Sequence, residues 1–96
     1  MNVRITEDAE HDVLAGFRFY EDQTAGLGDY FRDSIIADVD SLMFFGGIHE
    51  VVYGFHRMLA KRFPFAIYYE KTGEEVTVVA VLDCRRDPSW TRDRLI

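Results

Sequence analysis

The stretch RMLAKRFPFAIYYEKTGEEVTVVAVLDCRRDPSW, from Arg57 to Trp90, decides the fold. It contains two apolar runs rich in β-branched and aromatic residues, and a short connection with one glycine separates them. This arrangement predicts a β-hairpin over Phe65–Glu70 and Glu75–Leu82. The second run is almost continuously apolar, which is typical of an interior strand covered on both faces. The rest of the chain must therefore supply that cover.

The N-terminal half has the spacing of two helices. Thr6 is suited to cap a helix that starts near Glu7, and a second helix is predicted from about Asp29 to Phe45. Each predicted helix carries an apolar stripe, formed by Ala9, Val13, Leu14, Phe17 and Tyr20 in the first and by Phe31, Ile35, Val39, Leu42 and Met43 in the second. Gly26 and Gly28 interrupt the pattern and permit a tight reversal. We therefore expect an antiparallel αα-hairpin.

Two further strands complete the predicted order. Val3–Ile5 has the alternation of a short edge strand, and Val51–Leu59 is predicted as a longer one. After the hairpin, Asp87 and Pro88 favour a turn that opens a last helical turn. The order is β-α-α-β-β-β, an α+β fold whose helical hairpin packs on a mainly antiparallel sheet. We expect residues 1–96 to form one domain, since this length can bury a core without added crosslinks.

Composition limits the classes of function. The net charge is −6, with eleven Asp and Glu against three Arg up to Glu50 and eight Lys and Arg against six Asp and Glu after it. The acidic total disfavours generic binding to nucleic acid, and any such contact would need a local basic patch. The N-terminus lacks the pattern of a secretory signal, no run is long enough for a membrane span, and the one cysteine fits a reducing compartment. The sequence predicts a cytoplasmic protein.

Four arginines bracket the predicted sheet: Arg57 and Arg62 near the first long strand, and Arg85 and Arg86 after the last. If these ends converge, their guanidinium groups would form a site for phosphate or carboxylate. Alternatively, the arginines are solvated or form ion pairs with the acidic helices, because residues five apart in an unbroken strand face opposite sides.

Other residues that could take part in catalysis or binding have weaker support in the sequence. His56 neighbours an arginine and, like Arg86, is a weak catalytic candidate. The alternative for His56 is an ordinary packed or exposed strand residue. Cys84 is expected to be buried at the end of an apolar strand. Trp90 is expected to close the edge of the core, or else to stack a base or anchor a partner. No spacing typical of a metal site or a phosphate-binding loop is present, so no metal or cofactor is predicted.

The order of elements, together with Gly26-Leu27-Gly28, RFPFAIYY at Arg62–Tyr69 and AVLDCRRDPSW at Ala80–Trp90, resembles the RelE/ParE toxin superfamily. The resemblance covers essentially the whole chain. It implies the toxin component of a bacterial type II toxin–antitoxin (plasmid stabilization) module, inhibited by a co-encoded antitoxin whose C-terminal segment wraps the toxin. RelE-like members cleave messenger RNA on the ribosome, whereas ParE-like members inhibit DNA gyrase and are not nucleases.

Carried over by position, the C-terminal basic element of RelE-like enzymes falls on Cys84-Arg85-Arg86, and their terminal aromatic residue falls on Trp90. Trp90 has no hydroxyl group for proton transfer, and Ala66 stands where such enzymes carry a strand arginine. The resemblance therefore favours a gyrase-directed binding toxin, with a ribosome-dependent endoribonuclease or an antitoxin-binding relic without toxicity as alternatives.

The antitoxin is expected along the sheet edge and the helical hairpin. Arg57, Arg62, Arg85, Arg86 and Trp90 are the predicted recognition residues for the antitoxin or the target. Whether the chain is a monomer, a homodimer or part of a toxin–antitoxin hetero-oligomer stays open.

Overall fold

The N-terminal elements begin where the sequence predicts them. A computed structural model describes all residues, Met1–Ile96. Strand β1 spans Asn2–Ile5, and helix α1 spans Glu7–Gln23. The Thr6 hydroxyl oxygen accepts the backbone N–H of Ala9 at 3.2 Å and so caps α1.

Helices α1 and α2 (Leu27–Asp40) form the predicted antiparallel hairpin. The reversal passes through Gly26, whose φ of +90° is a conformation that glycine adopts at low cost. The Glu21 carboxylate accepts the N–H groups of Gly26 and Gly28 and thereby ties the end of α1 to the start of α2. A Cβ atom on Gly16 would lie 2.5 Å from the Phe31 ring, so this glycine permits the close approach of the two helices.

The second helix is shorter than predicted. It ends at Asp40, the Ser41 hydroxyl donates to the Asp38 carbonyl at 2.6 Å, and a separate turn, α3, spans Leu42–Phe45. A serine that bonds to a preceding carbonyl in this way commonly bends a helix. The change of direction buries Leu42 fully and leaves Met43 about half exposed, so Met43 does not lie on the predicted inner stripe.

The predicted strand Val51–Leu59 is in fact a small hairpin. It comprises β2 (Val51–Val52) and β3 (Phe55–Leu59), whose residues pair in antiparallel register. Tyr53 and Gly54 make the connection with φ values of 55° and 84°, as a two-residue turn with two left-handed residues requires. The sequence-based prediction failed because tyrosine rarely adopts positive φ.

The main hairpin is confirmed, with β4 at Phe65–Thr72 and β5 at Glu75–Asp83. The sheet order is β1-β5-β4-β3-β2, in which β1 runs parallel to β5 and the other neighbours are antiparallel. As predicted, β5 is interior. Its residue Val79 is the extra residue of a β-bulge, because Val78 and Ala80 pair with the adjacent residues Tyr69 and Tyr68.

Both faces of this sheet are covered. The hairpin α1–α2 packs on one face, where an aromatic cluster has ring centroids 4.8 to 5.2 Å apart and consists of Tyr20, Phe31, Phe63 and Phe65. On the other face a smaller cluster contains Ala66, Tyr68, Ala80 and Leu82, with Leu95 packed against it. The predicted α+β class is therefore confirmed.

The C-terminal tail forms a longer helix than predicted, α4 (Pro88–Leu95). The Asp87 carboxylate caps it by accepting the N–H of Ser89 at 2.8 Å. No residue of α4 is buried. Its main polar tie is the Asp12 carboxylate, which accepts both the Arg94 guanidinium and the backbone N–H of Val81, the latter at 3.0 Å. None of the helices combines the length and the apolar character that crossing a membrane requires.

Candidate functional site

Arg57 lies on the sheet face opposite the helical hairpin. It is paired in register with Tyr68 and forms an ion pair with Glu50. The hydrogen bond to Glu50 raises the pKa of Arg57. Its Nε is buried without a hydrogen-bond partner. Burial raises the pKa of the neighbouring Tyr68 hydroxyl, which therefore stays protonated at neutral pH.

The Arg85 side chain is held by Asp83, the last residue of β5. Its Nε and Nη2 donate to the two oxygens of Asp83 at 3.0 and 2.7 Å, and Nη2 also lies 3.4 Å from the Tyr20 hydroxyl. The hydrogen bond from Arg85 holds the pKa of Asp83 below its ordinary value. Arg85 is thus largely occupied by internal partners.

Arg86 and Trp90 form a pair, with the guanidinium carbon 4.2 Å from the ring centroid. They line one side of a cavity of about 380 Å³, whose opposite side includes Gly16 and Phe19 of α1. Trp90 is 37% exposed, so it stands at the mouth of this cavity and does not close the core edge.

Arg62 lies in the exposed loop between β3 and β4. Its side chain forms no salt bridge and no hydrogen bond. Of the predicted recognition residues, only Arg86 and Trp90 contact each other. Arg57, Arg62 and Arg85 each have separate surroundings, because Arg57 lies within β3, Arg62 in the loop after it and Arg85 beyond the end of β5. Arg57 and Arg85 form ion pairs, as the second of the two predictions for the arginines expected. Their partners are Glu50 and Asp83, however, and not residues of the acidic helices.

His56 is tied into the fold. Its Nδ1 lies 2.7 Å from the His49 carbonyl oxygen, to which only an N–H can donate, and its ring stacks on Tyr69 with centroids 5.0 Å apart. These contacts give His56 a structural role. Cys84, expected to be buried, is exposed, because β5 ends at Asp83 and the following residues turn into solvent.

A cluster that sequence reasoning missed surrounds the fully buried Tyr69. Its hydroxyl oxygen accepts the Gly47 N–H at 2.9 Å and lies 2.6 Å from Nδ1 of His49. Because no other acceptor is near, the hydroxyl must donate to His49, whose Nδ1 is therefore unprotonated. Burial, and then the charge of His56, lowers the pKa of His49. His49 and Tyr69 are 20 positions apart in the sequence, so no helical or strand periodicity predicts their contact.

An apolar groove lies between the two helices of the hairpin. It encloses about 350 Å³, and hydrophobic side chains of both helices line it, among them Val13, Leu14, Phe17, Ile35, Ile36 and Val39. Leu14 of α1 and Ile36 of α2 are 42% and 44% exposed, so the groove is open to solvent and the predicted stripe of α1 is not fully covered at Leu14. No group of three or more His, Cys, Asp or Glu side chains is placed to hold a metal ion.

Comparisons with known proteins give one informative result. No protein-family model matches the sequence, and neither does any curated protein. Among solved structures, a chain of the "Chromosomal ParDE TA system from P. aeruginosa" superposes with a TM-score of 0.75 at 20% identity. The match covers 84% of this chain and 92% of the other. The protein therefore has the fold of a chain from a ParDE toxin–antitoxin system, as the sequence resemblance implied.

Proposed function

We propose that the protein is the toxin component of a type II toxin–antitoxin module and is inhibited by a co-encoded antitoxin. The observation that carries this proposal is the fold shared with a chain of the ParDE system over most of both chains. The motifs at Arg62–Tyr69 and Ala80–Trp90 include parts of β4 and β5, the two interior strands that pair with each other.

The antitoxin docks on the helical hairpin, in the groove between α1 and α2. This groove is apolar, and an amphipathic helix could bury Leu14 and Ile36 there by laying its apolar face into it. Arg57, Arg62, Arg85, Arg86 and Trp90 supply polar and aromatic recognition for the antitoxin or the target. Arg62 and Arg86 are the members of this set without a carboxylate partner.

The variant Ile36→Asp tests this placement. A charge in the groove should weaken antitoxin binding by about tenfold or more, because the bound apolar helix would strip water from the aspartate. Ala37→Asp is the matched control, since it adds the same charge at the next, exposed position of α2. Equal affinities of the two variants in titration calorimetry would rule out the groove.

DNA gyrase is the favoured target. Catalytic RNA cleavage needs acid, base and phosphate-binding groups around one point. Here Arg57, Arg85 and Arg86 have separate partners, His56 is tied to His49, and Ala66 is 2% exposed within the sheet. These placements support a toxin that acts by binding.

A ribosome-dependent endoribonuclease is the second candidate, and one observation favours it. Arg57 has a buried Nε without a partner beside Tyr68, so this sheet face holds an incompletely satisfied guanidinium and a phenol together. A phosphate that displaced Glu50 would find both groups.

Expression of the chain without its antitoxin distinguishes these functions. We expect growth inhibition and loss of gyrase supercoiling, with messenger RNA intact. Ribosome-dependent RNA cuts with normal supercoiling would establish the endoribonuclease instead. Antitoxin binding without growth inhibition would identify a relic, and the absence of any antitoxin binding would refute the module itself.

A further inference from the structure

A cavity of about 400 Å³ lies between the end of α2 and strand β3. This volume falls within the range of small-ligand pockets, about 300 to 1,000 Å³. Its apolar lining includes Phe45 of α3, which is 54% exposed, and Met58 of β3, which is 8% exposed. Its polar lining includes Asp38, Ser41 and Lys61. The cavity therefore combines a buried apolar surface with one carboxylate.

Asp38 is a buried carboxylate with an incomplete set of partners. It is only 4% exposed. Its Oδ2 accepts the backbone N–H of Lys61 at 3.1 Å, whereas Oδ1 accepts no hydrogen bond from the protein. No cation forms a salt bridge with Asp38, and the side chain of Lys61 is exposed. Because a buried charge is ordinarily paired, the carboxylate favours a cation in the cavity.

The surroundings of Asp38 favour positive charge as well. Asp38 lies in the last turn of α2, where the helix dipole leaves partial negative charge, and no basic residue in that turn compensates it. The Ser41 hydroxyl donates to the Asp38 carbonyl at 2.6 Å and keeps lone pairs that can accept a further hydrogen bond. His49, which also lines the cavity, accepts the Tyr69 hydroxyl at Nδ1 and therefore adds no positive charge.

We propose that this cavity binds a small primary alkylamine. The ammonium group donates to Oδ1 of Asp38 and to Oγ of Ser41, and the alkyl chain packs on Phe45 and Met58. This binding site goes beyond the proposed function, because it requires neither the antitoxin nor a target. It also lies apart from the groove between α1 and α2, with which it shares no lining residue.

Titration of the purified protein with butylamine tests the proposal, and 1-butanol is the matched control, a neutral ligand of the same length. Butylamine should shift the backbone amide resonances of Ser41 and Lys61 in NMR spectra, because the Lys61 N–H donates to the Asp38 carboxylate. Butanol should bind at least about tenfold more weakly, since it lacks the charge. Butylamine should also raise the midpoint of thermal unfolding, because it binds the folded state.

A pair of variants assigns the binding to one carboxylate. Asp38→Asn removes the charge but keeps an oxygen that can accept the Lys61 N–H, and it should weaken butylamine binding by about tenfold or more. Asp40→Asn is the matched control, because Asp40 is an exposed carboxylate of the same helix, and it should keep the wild-type affinity. Lys61→Met should bind butylamine at least as tightly as the wild type.

Three results would overturn the proposal. One is equal affinity for butylamine and butanol, and another is equal affinity of Asp38→Asn and Asp40→Asn for butylamine. The third is binding to Lys61→Met alone, because the Lys61 ammonium would then be the group that Asp38 holds. If Asp38→Asn does not fold, the comparison of butylamine with butanol in the wild type decides. Antitoxin binding, on which the proposed function depends, is measured separately.

Discussion

At the scale of single residues, the contact between Gly16 and Phe31 sets the spacing of the two helices. The Phe31 ring is fully buried and is enclosed by Tyr20, Phe63 and Phe65, so it has no free space to move into. A methyl group at position 16 would lie 2.5 Å from it. The hairpin geometry therefore depends on the absence of a side chain.

Gly16→Ala should destabilise the protein although alanine favours helix. The gain in helix propensity is about 1 kcal/mol, and overpacking costs about 1 to 3 kcal/mol, so we expect a net loss of about 1 kcal/mol in the free energy of unfolding. Urea denaturation measures it. Combining Gly16→Ala with Phe31→Leu should recover part of the loss, and strictly additive effects would contradict the contact.

His49 should make stability depend on pH. Its pKa is lowered in the folded state from the ordinary 6.5, by burial first and by His56 second. The folded state therefore favours neutral His49, and its contribution is complete above pH 6.5 and is lost as the pH falls below 6.5 and the unfolded chain takes up a proton. Protonation at Nδ1 would also break the bond from Tyr69.

The free energy of unfolding should accordingly fall between about pH 7.5 and about pH 5.5, and it should fall less in His49→Gln. His11→Gln, at an exposed position of α1, is the control and should keep the wild-type slope. A His49→Gln slope equal to that of the wild type would contradict the lowered pKa of His49 in the folded state.

At the scale of elements, α4 is the most weakly attached helix. None of its residues is buried, and the Arg94 pair with Asp12 supplies its main polar tie. Arg94→Ala should speed amide exchange across Pro88–Leu95 while changing global stability by only about 1 kcal/mol. Arg92→Ala is the control, because Arg92 pairs only with its neighbour Asp93. Similar exchange in both variants would show that packing of Leu95, and not the ion pair, holds α4.

The elements also show what sequence can predict. Caps and periodicity identified α1, the main hairpin and the start of α4, because Thr6 and Asp87 act within a few residues of their positions. The break at Ser41 was missed because it depends on the hydrogen bond from the serine hydroxyl to the Asp38 carbonyl, and the turn at Tyr53 because tyrosine rarely adopts positive φ. Site contacts such as Asp12 with Val81, 69 positions apart, have no local signal. The predicted recognition residues do not form one cluster, since only Arg86 and Trp90 contact each other, and their role in recognition stays a prediction.

At the scale of the whole molecule, the charge is divided between layers. The acidic residues lie mainly on the helical hairpin, whereas most cations lie on the sheet with its loops and on the C-terminal helix, and the net charge is −6. A partner that contacts both layers would therefore meet opposite charges on them.

The free protein should not bind RNA on its own. At about 0.15 M salt the summed negative charge opposes a polyanion, and the local cations are too few to release many counterions. Electrophoretic mobility shift with a structured RNA should show no complex at micromolar protein, with a basic RNA-binding protein as the positive control. A salt-sensitive complex would instead favour the endoribonuclease.

Trp90 is the only tryptophan, and it stands against Arg86 at the mouth of the cavity beside α1. Its indole emission therefore arises from one position, half in solvent and next to a cation. Any molecule that enters this cavity, or any movement of α4, changes the polarity around that single fluorophore. The protein thus carries an intrinsic optical reporter, with which the kinetics of partner binding can be followed without a label.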